Sequence, residues 1–472
     1  MRRLTALTAA AVSLPVLAGV SADEAAKLGN ELTPIGAVSA GNEAGTIPAW
    51  IGQELFSQEV QDLSRDELEQ WRKKDPKKIE DLVFDEIERN ADKFDKNPLE
   101  STLTITKANY KQHASKLTVG HQKMFELYDD YKMIVYPTVR TAFFPEEIYE
   151  ATKANATSAT LEGTDSVKNA KLGFPFPIPK QGAEVIWNHK TKFRGSAVKR
   201  YNNQAIVAQD GDFKISKLVE DVKFKYANLN DQSDDSNKLI AYYLQEVVSP
   251  PRVAGQVTLV HETADQSSGG RNAWLYDPGI GRTRRAPNVG YDNPSLGSDG
   301  EQFNDQIDVF NGALDRYTWK LLGKKEMYIP YNSGQMNSPL LKYDDILGKG
   351  HINQDYARYE LHRVWVVEAT LRDGQRHQFK KRTFYVDEDS FSIAVVDCYD
   401  NRDQLWKLQE AHLTTFPFVP TTSGSPELIY DLQTGRYFAT AMTNEDQISD
   451  FDVSYEDRMF LPQGLARVAG RR

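Results

Sequence analysis

From about residue 184 the chain alternates apolar and polar residues with a period of two, in segments roughly 10–15 residues apart, which commits it to a large sheet. The clearest case runs from Tyr359 to Leu371, where Tyr359, Leu361, Trp365, Val367, Ala369 and Leu371 alternate with Glu360, His362, Glu368 and Thr370. Asp373-Gly374 suits a tight turn, and Phe379 to Val386 returns. Phe391 to Tyr399 follows the acidic turn Asp387–Asp389, and Gln404–Leu413 follows Asn401-Arg402-Asp403. Further strands are expected at Ala205–Gln209, Phe213–Leu218, Ala241–Val248, Gln256–Glu262 and Ala273–Asp277. Strands joined by short polar turns pair antiparallel, so the expected class is mainly β, with the sheet curved or closed. No strand–helix–strand alternation is visible, which argues against a doubly wound nucleotide fold.

The preceding segment reads as polar and irregular, with some helices. Ser64-Arg65-Asp66-Glu67 has capping-box spacing, with Leu68 and Trp71 on one face of the helix that follows. A second helix is expected from Lys107 to Leu117, stopping at Gly120, and a third where Met124, Phe125, Tyr128 and Tyr131 recur at helical spacing. Pro145-Glu146-Glu147 has the proline and early acids of a helix start. The expected division is a leader over 1–22, a helical and irregular region over 23–165, and a sheet over 166–472 that is continuous with it.

Arg2-Arg3, the apolar stretch Leu4–Val20 and the small residues of Val20-Ser21-Ala22 read as an export signal cleaved after Ala22. Removing its two arginines leaves 55 basic against 67 acidic residues, a net charge of −12. An acidic chain without a long basic run is a poor binder of nucleic acid. Cys398 is the single cysteine, so no internal disulfide forms and no lipid-anchor cysteine adjoins the leader. A large exported chain without disulfides fits a bacterial envelope, and the expected location is the periplasm, free or peripheral to the outer membrane.

Catalytic and metal motifs are sparse. Gly279-Ile280-Gly281 starts a dinucleotide-like pattern whose third glycine position is Arg284, between two strand-like stretches. No nucleophile elbow, phosphate loop or HExxH occurs, and the histidines have no zinc spacing, so no metal or cofactor is expected. The acidic run Asp231–Asn237 lacks the central glycine of a calcium loop and has Tyr242 at its twelfth position. No enzyme is expected.

Three features stand out. Phe174-Pro175-Phe176-Pro177-Ile178-Pro179, before Trp187-Asn188-His189, forces an extended path that suits a crossover or a cavity rim. Trp274 to Arg285 reads as strand, turn and basic strand, with Arg282 and Arg284 on one face, able to meet a phosphate or a partner's acids. Sheet aromatics are abundant: Trp187, Trp274, Trp319, Trp365 and Trp406.

These residues also carry a resemblance. Trp274-Leu275-Tyr276-Asp277-Pro278 through Arg284-Arg285-Ala286-Pro287, Gly297-Ser298-Asp299-Gly300 and Tyr317 to Gly323 resemble the proteobacterial family of domain of unknown function 1329. So do Leu32 to Gly36, Gly45 to Trp50, Tyr136-Pro137 to Thr141-Ala142, and Pro175 to His189. The resemblance covers essentially the whole mature chain. It implies the LolA/LolB lipoprotein-carrier fold, a curved antiparallel half-barrel with helices in or over its mouth. It also implies an envelope protein encoded beside a resistance-nodulation-division type transporter and an outer-membrane partner.

The favoured function is therefore a carrier of a hydrophobic ligand (a lipid, acyl chain, sterol-like compound or lipoprotein anchor) in a concave apolar sheet face. Trp187, Trp274, Tyr276, Trp319, Trp365 and Phe379 are the expected liners, with Arg282 and Arg284 at the rim. The alternatives are a structural adaptor between the transporter and the outer membrane, and, behind it, an envelope ester hydrolase.

Overall fold

The computed structural model describes residues 19–231, 239–265, 271–286 and 291–469. The body of the expected leader and the acidic run after Asp231 lie outside the described residues.

The sheet is assembled from two meanders. The first comprises β5 (Ala197–Val207), β6 (Phe213–Phe224), β7 (Leu239–Ser249), β8 (Val257–Thr263), β9 (Asn272–Asp277) and β10 (Arg282–Arg285). The second comprises β11 (Tyr317–Pro330), β12 (Tyr359–Leu371), β13 (Lys381–Asp387), β14 (Ile393–Tyr399), β15 (Leu405–Phe416), β16 (Thr421–Asp431) and β17 (Tyr437–Met442). β17 pairs antiparallel with β5, Tyr437 opposite Val207, which fuses the meanders edge to edge. From the region ahead of them, β1 (Leu103–Thr106) and β2 (Lys132–Tyr136) join the same sheet, β2 running parallel to the start of β12. β3 (Thr160–Glu162) and β4 (Ser166–Lys168) form a separate hairpin. Among the described residues the result is a mostly antiparallel 15-stranded sheet whose outermost strands, β1 and β10, do not pair, so it stays open instead of closing into a barrel. Bulges bend it; at the one between Leu321 and Gly323, Gly323 takes φ +96°, which a side chain would resist.

Helices fill or cover the concavity. Gly182–Thr191, where a period of two was expected to begin, is instead a helix with all ten residues buried. Its side chains are small, apolar or internally bonded on every side, so it has no solvent face. Gly182 lets it approach β11 and β12: a Cβ there would lie 2.8 Å from Val367 Cγ1. The proline-rich path docks on it, Phe176 N–H donating to Asn188 Oδ1 at 2.9 Å while Asn188 Nδ2 donates back to the Phe176 carbonyl at 2.7 Å. The crossover runs into the concavity.

The helices Arg65–Lys74 and Lys77–Arg89 lie over another part of the sheet, and the first carries the expected Ser64–Glu67 capping box. Pro145 does open a helix, Glu146–Ser158. The second expected helix is a 3₁₀ segment, Tyr110–Lys116, and Gly120 does not stop it. Gly120 opens the next helix, Val119–Leu127, because the Val119 and Gly120 N–H groups must reach Asp397 and a Cβ would lie 2.5 Å from that carboxylate. That helix ends before Tyr128 and Tyr131. The start of the polar face of β12 is also not solvated. Glu360 and His362 are buried, because the stretch after β2 covers them and Val139 N–H donates to Glu360 at 2.8 Å. Among the described residues no helix is long and apolar enough to cross a membrane.

Candidate functional site

Alternation along β5 to β8 sends every second side chain to the concave face. There the sequence places Arg200, Asn202 and Gln204 on β5, Glu220 and Val222 on β6, Tyr243 and Gln245 on β7, and Thr258 and Glu262 on β8. These side chains, with Lys190 from the buried helix and Asp308 and Phe310 from the loop before β11, line a cavity of about 170 Å³. The concave face here sets charged and amide groups among its apolar surface.

A second cavity of about 170 Å³ adjoins it. Its roof is the helix pair, through Leu68, Ile79, Leu82 and Val83, and its floor includes Val198, Phe416 and Phe418. Arg194, Arg200, Asn202, Phe224 and Ala441 line both cavities. Both cavities present mainly apolar surface; the helix-roofed one is capped by aliphatic side chains, the other carries the ion pairs, and they share two guanidinium groups.

The charged compartment is tightly bonded. Glu220 accepts from Arg200 Nε at 2.8 Å, Asn202 Nδ2 at 2.8 Å and the Tyr243 hydroxyl at 2.6 Å. Arg194 pairs with Asp308, and Arg271 Nε donates to Glu262 at 2.7 Å. Lys190 Nζ donates to the carbonyls of Asn311 and Gly312 at 3.0 and 2.6 Å. Burial lowers Lys190 and Lys192 to about 8 and His189 to about 3. It raises Glu427 to about 8, helped by the neighbouring Asp308 charge. Burial also pushes Asp308 upward, but Arg194, Lys192 and His189 outweigh it and hold that carboxyl well below its usual range.

None of the eight residues singled out from the sequence lines either cavity. Trp187 is wholly buried in its helix, its Nε1 donating to the Thr164 carbonyl at 3.0 Å. Trp319 packs on Phe310 and Phe384, and Phe379 lies between Phe303 and Trp406, ring centroids 5.5 and 5.4 Å away. Trp365 sits under Lys324 Nζ, 4.3 Å from its ring centre. Trp274 and Tyr276 point to the opposite face of the sheet, where they pack with Leu259, Val257 and the C-terminal Phe460. Arg282 and Arg284 are exposed on the edge strand β10. A single row of directly opposed residues crosses the strands from Arg200 through Glu220, Gln245, Thr258 and Leu275 to Arg284, so Arg284 shares the concave face.

The cavity residues that sequence reasoning passed over, Arg194, Arg200, Glu220, Glu262 and Glu427 among them, did leave one signal. Lys199–Gln204 is polar on both faces of a strand, an arrangement unsuited to a sheet with one dry side.

One trio, His362, Asp387 and Asp389, brings three donor atoms within 4.8 Å of one another. Both Asp389 oxygens are already taken by Arg140, at 2.8 and 2.6 Å. That guanidinium supplies the positive charge a cation would bring, so the trio is an ion-pair node and does not fit a metal centre.

The family model for proteins of unknown function DUF1329 matches residues 104–466, and the chain belongs to that family. An uncharacterized protein of Pseudomonas aeruginosa is 43% identical over 457 residues, spanning 95% of this chain and 94% of that one. A crystal structure of a DUF1329 family protein from Desulfovibrio piger is similar at a TM-score of 0.40 and 16% identity, over 57% of this chain and 92% of the other. A LolA superfamily protein from Nitrosomonas europaea gives a TM-score of 0.37 at 13% identity, over 60% and 98%.

Proposed function

We propose that this DUF1329 protein binds and carries a hydrophobic molecule, with the apolar part of the ligand in the cavity beneath the helix pair. The observation that carries this reading is the construction of that cavity. Its walls are mainly apolar, and its roof is two helices instead of sheet, so the ligand can enter by movement of the roof without breaking strand pairing. A cavity of this size takes a benzene-sized group, about six carbons. Six methylenes contribute about 5 kcal/mol gross, before the ordering costs of binding. A longer chain extends toward the second cavity, with Arg282 and Arg284 exposed beyond it on the edge strand β10. The setting would be the periplasm, with an envelope transporter and an outer-membrane protein as donor and acceptor.

The test is lipid mass spectrometry of the full chain purified from a native envelope, beside Leu82→Trp, which fills the apolar cavity. A co-purifying apolar species near one per chain, lost in L82W with folding retained, is the expected result. An empty wild type that also refuses an apolar fluorophore overturns the reading. The adaptor alternative has one observation in its favour, the helix Gly182–Thr191 filling the other half of the concavity. It predicts that empty outcome together with a partner captured by cross-linking.

A further inference from the structure

We infer that the ligand is an acidic amphiphile, its tail in the apolar cavity and its anionic head, a carboxylate or phosphate, against Arg194 and Arg200 in the charged one. This rests on the carrier reading and names the ligand class. The two cavities share these two guanidiniums, so a chain leaving the apolar compartment meets them first.

The charge balance favours an anion. Among the described residues around the polar cavity, Lys190, Lys192, Arg194, Arg200 and Arg271 face the carboxyls of Glu220, Glu262, Asp308 and Glu427. Asp308 serves both Arg194 and Lys192, the latter at 3.7 Å, and Glu262 serves both Arg271 at 2.7 Å and Lys190 at 3.8 Å. Glu427 accepts the Val309 N–H at 3.2 Å and lies beside Asp308, an arrangement that favours its neutral form. Three carboxylates therefore answer five cations, and the Nε of Arg194 is buried with no hydrogen-bond partner among the described residues. Charge-assisted, forked hydrogen bonds from guanidinium to a carboxylate or phosphate supply what is missing, whereas an ammonium head would add to the excess.

The experiment measures binding of decanoate, decyl phosphate, 1-decanol and decyltrimethylammonium to the full chain at neutral pH, by displacement of an apolar fluorophore. Both acids are expected to bind at least about tenfold tighter than decanol, and the ammonium more weakly than decanol. Arg200→Gln should bring the acids down to the level of decanol while leaving decanol unchanged, and Lys190→Gln serves if the first variant does not fold. The ratio of decanoate to decyl phosphate says which acid is preferred. Equal affinity across the four probes overturns the inference and leaves the carrier reading standing. Binding of none of them overturns both.

Discussion

The two halves of the sheet treat their concave faces in opposite ways. Over β11 to β14 the face is filled: the buried helix Gly182–Thr191 and Phe310 press onto Trp319 and Phe384, and aromatic rings interlock around Arg382. Over β5 to β8 the face carries charge and amide groups and leaves one cavity, and a second opens under the helix pair where β5 approaches β15 and β16. Rings interdigitate and close space, whereas paired charges hold one another in place and keep a wall wet and open. Aromatic density therefore marks the half that is shut, and charge on the inner face of strands marks the half that keeps open space.

The sharpest way to break this contrast is Arg382→Met. Arg382 is fully buried, donates to Asp305 at 2.7 Å, and has its guanidinium carbon 4.8 Å from the ring centres of both Phe310 and Tyr317. Its removal leaves Asp305 without its main counter-charge, a loss of about 3–5 kcal/mol in chemical denaturation. Against burial, which raises it, Arg382 and His377 hold Asp305 at about 2, below the ordinary 3.8. In the parent chain that contribution is present above about pH 4 and lost as pH falls toward 2, a window the variant should lack. Affinity for an apolar probe in the fraction that stays folded should not change, since Arg382 lines neither cavity. A parallel loss of probe binding would show that the two halves act as one.

A smaller effect is expected in the open half, from Glu427→Gln. Glu427 titrates near 8 in the folded chain and near the ordinary 4.5 when unfolded, so the folded state keeps a proton that the unfolded state releases between those values. Its contribution to stability is therefore full below about pH 4.5 and declines as pH rises to 8. Asp308 raises it further, while Arg200 and Lys192 lower it. Lys190 and Lys192, lowered to about 8, act in the opposite sense but only above that pH, so the window is separable. Glutamine keeps an acceptor for the Val309 N–H and cannot ionise. The variant should lose the decline and gain at least about 1 kcal/mol at pH 8 relative to pH 5, read from urea midpoints. An unchanged pH profile would place the proton elsewhere.

Much of the fold was legible from period and turn chemistry. β6 to β9 and β12 to β15 fall where alternation and short polar turns put them, while β5 runs over Ala197–Val207 instead of the expected Ala205–Gln209. β16 and β17 did not stand out, because both are buried on their two faces and show no clean alternation. The helix Gly182–Thr191 escaped for a related reason: a wholly buried helix has no polar stripe to reveal its period. The site was less legible than the fold. Aromatics were read as cavity lining, but their area drives close packing, and Trp187, Trp319 and Phe379 ended among neighbours they fill. The residues that line open space, such as Arg200 and Glu220, lie outside the strands expected at Ala205–Gln209 and Phe213–Leu218. Sequence alternation separates two faces without saying which one a roof will cover, and here the roof comes from helices more than 100 residues earlier in the chain.

The finest test falls on Arg282 and Arg284, the two expected site residues that stand exposed on the edge strand β10. Both are exposed and share their face with Asp277 and Leu275, at the end of the row that begins at Arg200. Replacing both with serine removes no buried contact, so stability should stay within about 0.5 kcal/mol of the parent. At the free edge of an acidic protein two cations act at a distance, raising the local concentration of an approaching anion. Loss of both should slow association of decanoate two- to threefold or roughly that at low salt, and the difference should vanish near 0.5 M salt, where the Debye length is about 4 Å. Dissociation should be unchanged, because neither side chain reaches the shared guanidinium pair. A faster dissociation of equal size would instead place them in contact with the bound head group and extend the charged compartment to the edge of the sheet.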